Sequence, residues 1–329
     1  MKSKLRIILI VIFSGILVFA LSQILLAFLD DQQAQALHDE IIENFVTIIP
    51  TDSQPLLVDD DLENPTLAVG DDDQDTPPEA SEPPPPVARP VVQSAADVAV
   101  DFAGLRAINN DIIGWIMIER TAISYPLVQG ADNVRYLTTT FNGRQNRQGS
   151  IFMDAHNCPN FSHRHTLIYG HNMANNSKFG LLGRYAQQSF FERHRYFHIL
   201  TETGLRRYEV ISAYTADVDS LTYQRSFPNE GDFEAFLDFI LSQSQVNSGV
   251  ELSANEQIVT LSTCTPTSSI QYRFVVHGRL VSITPTATEA APATEDPPAE
   301  AIADQPMEDL SEEEVANEED SFEESDSID

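Results

Sequence analysis

Acidic side chains crowd the two flanks of this 329-residue chain and leave its middle nearly neutral, and that partition decides where a core can form. Residues 30–100 hold 17 Asp and Glu against one basic residue, Arg89, and residues 286–329 hold 17 with no Lys or Arg. From Asp101 to Pro285 the count is 16 acidic against 15 basic. The first flank alternates acidic runs (Asp59-Asp60-Asp61, Asp71-Asp72-Asp73) with proline clusters (Pro77-Pro78, Pro83 to Pro86). Such a composition buries too little apolar surface to offset its ordering entropy. Residues 30–97 are therefore expected to form an extended acidic, Pro-rich spacer, and 286–329 a disordered acidic tail. The formal net charge of −31 belongs to these flanks. No basic stripe is present to neutralise phosphates, so nucleic acid is not an expected partner.

The N-terminus carries a different signal. Lys2, Lys4 and Arg6 precede an uncharged run from Ile7 to Leu29. As a helix, 23 residues span about 34 Å, against a hydrocarbon core of roughly 30 Å. Basic residues before the run and Asp30-Asp31 after it put residues 1–6 in the cytoplasm and the remainder outside a single-pass anchor at 7–29, with membrane lipid as its partner. Ala34-Gln35-Ala36 fits the small-residue pattern of a signal-peptide cleavage site, but the apolar run exceeds the usual h-region, which favours a retained anchor. With two cysteines, Cys158 and Cys264, no disulfide framework is expected to staple the exported part.

The remaining 98–285 form the expected folded domain. Val98, Phe102, Leu105 and Ile108 fall near helical spacing, and Asn109-Asn110-Asp111 would end that helix. Strand-like runs follow at Gly114 to Ile118, Gly149 to Met153, Thr166 to Tyr169, Tyr208 to Tyr214, Ile258 to Cys264 and Tyr272 to Ile283. Turn clusters separate them at short intervals, which favours a β-barrel or sandwich. One helix interrupts the strands: in Gly231 to Gln243, Phe233, Phe236, Leu237, Ile240 and Leu241 make one apolar face. The fold class is mostly β with added helices.

Strand alternation selects the candidate chemistry. Val259 and Leu261 share one face, and Thr260, Ser262 and Cys264 the other. Cys264 thus ends a strand on its more polar side, nine residues before Arg273, which begins the next strand. His171 follows Leu167-Ile168-Tyr169-Gly170 at the end of another strand. A thiolate nucleophile beside an imidazolium, with a guanidinium to hold an oxyanion, suits acyl transfer. The bland alternative also holds at this point: a free Cys is commonly a small buried hydrophobe, and a strand Arg a solvated face. His156, Cys158, His163 and His165 read H-x-C-x4-H-x-H, which fits no common zinc spacing, and no metal is expected there. His277 and Arg279 are read as ordinary strand residues.

Thr260-Leu261-Ser262-Thr263-Cys264 resembles the TLxTC signature of sortases, and Arg273 falls where the sortase arginine is expected. Ile168-Tyr169-Gly170-His171-Asn172-Met173, with Phe179-Gly180 and Leu182 beyond it, resembles the histidine segment of class B sortases. So do Asn110 to Ile116, and Tyr125 to Gln129 leading to Asp132-Asn133 and Tyr136-Leu137. The resemblance covers roughly 98–284 and implies a sortase-type β-barrel with an N-terminal helix and a helix between its sixth and seventh strands.

It further implies a membrane-anchored cysteine transpeptidase. Cys264 would attack the carbonyl after the threonine of a C-terminal sorting signal, LPxTG-like or NPxTx-like, on an exported protein, forming a thioacyl-enzyme. His171 would act as acid and then base, Arg273 would stabilise the oxyanion, and Asn133, Leu137, Ser262 and Thr263 would line the signal groove. The acyl group would pass to an amine of a peptidoglycan precursor, with no cofactor. Three alternatives stand beside this: a pilus-type sortase using a pilin lysine, a catalytically silent extracellular binding module, and a hydrolase using the same trio that releases acid rather than amide. Thr265 stands where some class B members carry an acidic residue, and the long tail departs from the family pattern.

Overall fold

The computed structural model describes residues 2–48, 94–264 and 271–285, with Cys264 described through its backbone. Most of the expected spacer, 49–93, and the expected tail, 286–329, lie outside the described residues.

Eight strands close into a barrel. In chain order they are β3 (Ile112–Met117), β4 (Ser124–Val128), β5 (Ile151–Met153), β6 (His165–Tyr169), β7 (Tyr196–Thr201), β8 (Gly204–Asp217), β9 (Ile258–Cys264) and β10 (Tyr272–Thr284). Around the barrel the order is β10-β8-β7-β3-β4-β5-β6-β9, closed by the β9–β10 ladder. All neighbours are antiparallel except β4–β5 and β6–β9, which are parallel. Alternation does what it predicts: Val259, Leu261, Phe274 and Val276 fill the interior with Ile116, Leu127, Ile168 and Val210. The opposite face of β8, β9 and β10 is covered by α4 (Glu230–Ser242), which buries Phe233, Phe236, Leu237 and Ile240 against Ile211, Ile258 and Val275. Asn229 caps α4, its side chain accepting from Asp232 N at 2.9 Å, and Glu230 and Asp232 complement the helix dipole. This helix stands between the sixth and seventh barrel strands. Two shorter helices complete the domain, α2 (Phe102–Ile108) and α3 (Gln188–Arg193).

Four features differ from expectation. The strand β4 contains Pro126, and proline argues against a central strand. It is tolerated because β5 pairs only Leu127 and Val128, leaving Pro126 outside that ladder. Strand β7 is also absent from the expected set, although Tyr196-Phe197-His198-Ile199-Leu200-Thr201 is rich in β-forming residues. The apolar stretch from Val98 is split: Val98–Val100 is a strand, β2, and the helix starts only after Asp101, whose carboxylate caps Gly104 N at 2.9 Å. Finally, residues 30–48 are not part of an extended spacer. The N-terminal helix α1 runs unbroken from Lys2 to Phe45 and leads into β1 (Val46–Ile48). The reason is a helical stripe within the acidic composition. Ala34, His38, Ile41 and Phe45 recur at three- and four-residue steps, and they pack on Trp115, Leu105, Val98 and Tyr125. Strand β1 then pairs with β2, Val46 opposite Val100 and Ile48 opposite Val98.

Candidate active site

The barrel's two kinds of pairing bring three strand ends together. Because β6 runs parallel to β9, their C-terminal ends lie side by side, with Tyr169 level with Ser262. The pairing continues one step further as Gly170 N donates to Ser262 O at 3.1 Å. Two residues past this register, His171 is level with Cys264. Because β10 runs antiparallel to β9, its first residues return to the same end, and Arg273 is the Cα partner of Cys264. His171, Cys264 and Arg273 therefore form one row across neighbouring strand ends, with the cysteine in the middle and about 4.8 Å between strands.

Local contacts fix the flanking members of that row. Gly170 permits close packing: a Cβ there would lie 2.7 Å from Phe179 Cδ2, inside the buried ring that anchors the loop. Phe179 N donates to His171 O at 3.0 Å, closing the loop on itself. The His171 ring donates from Nε2 to the Leu137 carbonyl at 2.7 Å, since a carbonyl can only accept. In the neutral ring this leaves the lone pair on Nδ1; in the imidazolium both nitrogens are donors. Arg273 Nη1 donates to the Tyr272 carbonyl at 2.9 Å.

These residues open onto a cleft of about 390 Å³. His171, Arg273, Asn133, Leu137, Ser262 and Thr263, all singled out from the sequence, line it together with Tyr169, Tyr223 and Arg225. Ser262 Oγ lies 2.9 Å from Tyr223 OH, and Thr263 Oγ1 is buried without a hydrogen-bond partner among the described residues.

One buried carboxylate organises the cleft wall. Asp154, fully buried, accepts at Oδ2 from Asn133 Nδ2 (3.0 Å), Tyr169 OH (3.0 Å) and Arg225 Nε and Nη2 (3.0 and 2.7 Å). At Oδ1 it accepts from His156 N at 2.9 Å. Burial pushes the Asp154 carboxyl up, but Arg225 and the other donors outweigh it and hold the group below the usual carboxylate range. Burial, reinforced by Asp154, pushes the Tyr169 phenol well above its ordinary value, so it remains a donor.

The sortase domain family model matches residues 116–281, half of the chain and all of the barrel from within β3 to within β10. The chain belongs to the sortase family. Sortase B of Staphylococcus aureus is 36% identical over 188 residues, which cover 56% of this chain and 77% of that protein. Sortase B of Listeria monocytogenes is 36% identical over 189 residues, covering 56% and 76%. Among solved structures, a Staphylococcus aureus sortase B–substrate complex superposes with a TM-score of 0.53 at 35% identity, covering 56% of this chain and 85% of that one. Clostridium perfringens sortase B gives 0.52 at 32% identity, covering 55% and 100%. Sortases are cysteine transpeptidases, and this chain is an enzyme of that kind with class B homologues.

Other polar residues of this sortase go elsewhere. The cluster His156, Cys158, His163 and His165 does not converge. The His156 side chain is largely exposed and meets Asp154 Oδ1 at 3.0 Å, while His163 Nδ1 faces Asn157 Nδ2 at 3.2 Å. His165 turns into the protein, 2.7 Å from both the Gln224 carbonyl and Thr260 Oγ1. Thr260 continues to His277 Nδ1 at 2.7 Å, and His277 Nε2 to Tyr214 OH at 3.2 Å. Only one assignment satisfies this chain: His165 donates from Nδ1 to Gln224, Thr260 donates to His165 Nε2, His277 donates from Nδ1 to Thr260, and Tyr214 donates to His277. Both imidazoles are neutral, and burial lowers His165 to about 4 and His277 well below its ordinary value. Arg279 forms a paired contact with Glu209, Nε and Nη2 on Oε2 at 3.0 and 2.9 Å. Asp154, Tyr169, Tyr223 and Arg225 escaped sequence reasoning as site residues. Tyr169 stood inside the histidine motif, but no spacing rule joins Asp154 to an arginine 71 residues later.

Proposed function

We propose that this sortase is a membrane-anchored transpeptidase that cleaves a C-terminal sorting signal after threonine and transfers the acyl group to an amine of a peptidoglycan precursor. The observation that carries the reading is the row His171–Cys264–Arg273 at the mouth of one cleft. In the first half-reaction the Cys264 thiolate attacks the threonine carbonyl carbon. Arg273 stabilises the oxyanion as charge moves to the carbonyl oxygen. The C–N bond then breaks, His171 as imidazolium gives its proton to the departing amine, and a thioester remains on Cys264. In the second half, an amine attacks the thioester, neutral His171 takes its proton, and the Cys264 thiolate leaves.

Asn133, Leu137, Ser262 and Thr263 would form the signal groove, with the sorting signal of an exported protein as the occupant. Membrane anchoring is supported by the exposed apolar surface of α1 over residues 9–29 and by its polar atoms. Both serines in the run satisfy their hydroxyls within the helix, Ser14 on Val11 O at 2.9 Å and Ser22 on Phe19 O at 2.7 Å, as a lipid environment requires. The basic residues preceding the run favour a cytoplasmic N-terminus and an outward-facing barrel.

The test incubates the full chain in detergent with a panel of threonine-containing signal peptides, plus either a peptidoglycan-type amine or a lysine peptide. A ligated product that requires Cys264 supports transpeptidation, and the acceptor used separates wall attachment from pilin joining. Release of free acid alone from every peptide would replace the reading with hydrolysis.

A further inference from the structure

The contacts between α1 and the barrel fall at an informative height. Arg147 Nη2 donates to the Ala27 carbonyl at 3.3 Å and to Asp31 Oδ2 at 2.7 Å. Asn146 Nδ2 donates to the Asp30 carbonyl at 3.1 Å, and Gln148 Nε2 to Asp31 Oδ1 at 2.9 Å. Leu29 ends the apolar run, and Ala27 and Asp31 stand two residues either side of it, about 3 Å along the helix axis. From there upward the same stripe of α1 stays on the barrel. Ala34 and Ile41 are buried, and His38 stacks on Tyr125 with ring centroids 4.2 Å apart. The helix is unbroken across this boundary.

We infer that the barrel edge bearing Asn146, Arg147 and Gln148 rests on the lipid headgroup surface, held there by α1 itself with no stalk between span and barrel. This deepens the proposed membrane anchoring and depends on it. The long acidic segment after Ile48 does not set the barrel's height. It leaves from β1 and returns to β2, and those strands are paired residue for residue, so its two ends are fixed at one place.

The same edge leads directly to the cleft. Asn146 N donates to Thr138 O at 2.9 Å, and the neighbouring Leu137 carbonyl receives His171 Nε2 at 2.7 Å. From the Asp30 carbonyl to the His171 ring the path is under about 20 Å, given residue steps of 3.8 Å. The cleft therefore works close to the bilayer, where a substrate anchored in the same leaflet presents its first extended residues. Arg147, its side chain half exposed on this edge, is the cation that would face headgroup phosphates.

Tryptophan fluorescence in vesicles tests the placement, because the single Trp115 is fully buried and gives a low, measurable background. The full chain carrying Arg147→Trp, or Phe28→Trp as a reference inside the span, is reconstituted in phosphatidylcholine with a nitroxide on the headgroup. The inference predicts that Arg147→Trp shows at least half the fractional quenching of Phe28→Trp, since Asn146, Gln148 and the buried stripe of α1 still hold the edge in place. It also predicts that a short Gly-Ser insertion between Gln32 and Gln33 returns the Arg147→Trp signal to the parent level. Quenching at Phe28→Trp but not at Arg147→Trp overturns the placement and leaves the anchor standing. Quenching that survives the insertion overturns it too, since the new indole would then be seeking lipid unaided. No quenching at Phe28→Trp removes the anchor, and the inference with it.

Discussion

Arg273 stands directly opposite Cys264 in the β9–β10 ladder, so the guanidinium and the thiol belong to residues on the same face of the sheet. A role in holding an oxyanion depends on the planar fork and permanent charge of arginine. Arg273→Lys is expected to lower kcat by about 10²-fold, the usual cost of losing one oxyanion donor, while KM changes little. Steady-state kinetics with the ligated peptide checks this. A rise in KM of similar size with kcat unchanged would instead assign Arg273 to ground-state binding.

Gly170 links packing to chemistry. Adding a Cβ at Gly170 meets the Phe179 ring, and relief requires moving the backbone that carries His171. Gly170→Ala is expected to reduce kcat about tenfold or more while lowering the unfolding free energy by about 1–3 kcal/mol, the range for overpacking. Thermal or urea unfolding measured beside kcat separates the two effects.

The Asp154 cluster has an asymmetry that mutation can read. Arg225 is partly exposed, whereas Asp154 is fully buried. Arg225→Ala leaves a buried carboxylate short of its charged partner, and a loss of about 3 kcal/mol is expected. Asp154→Asn keeps the shape, frees Arg225 toward solvent and costs less because no buried charge is left unpaired; what it does cost comes from an amide that cannot accept from every donor around it. Both should raise KM, since Asn133, Tyr169 and Arg225 line the cleft. The depressed pKa of Asp154 adds stability that is fully present above its unfolded value, begins to fade as pH falls below about 4, and is lost as pH passes through the lower folded value.

The two buried histidines act in a higher window with the same sign. His165 and His277 are neutral when folded but titrate near 6.5 when unfolded, so the unfolded state binds more protons as pH falls. Stability should decline from about pH 6.5 toward about 4, by about 3 kcal/mol for His165 across the whole window. Urea midpoints measured across this range check it, and His277→Asn should flatten the slope. The lost contacts would loosen the wall segment first, because His165 holds the Gln224 carbonyl and Tyr214 is 2.8 Å from Thr222 Oγ1.

Much of this architecture was legible beforehand, for physical reasons. Alternation in Ile258–Cys264 and in Tyr272 onward is strong because one face is barrel interior, and a hairpin between them sets Arg273 beside Cys264, whereas His171 joins the row only through the parallel β6–β9 pairing, which no local pattern announces. Local patterning failed where a tertiary partner overrides composition. Pro126 masks the strand character of β4 locally, and it is accommodated because β5 pairs only with Leu127 and Val128. Acidic residues hid the stripe Ala34, His38, Ile41 and Phe45, whose burial against the barrel extends α1 past the apolar run. Asp154 and Arg225 meet through folding, and no local rule joins residues so far apart in the chain.

The central claim concerns one atom, the sulfur of Cys264, and intact-protein mass spectrometry reads it directly. The full chain is mixed with the signal peptide that it cleaves, with acceptor amine withheld. The account predicts a mass increase equal to the acyl fragment ending in threonine, mapped to Cys264, labile to hydroxylamine and absent in Cys264→Ala. Peptide cleavage that proceeds with no adduct on Cys264, or that persists in Cys264→Ala, would contradict it.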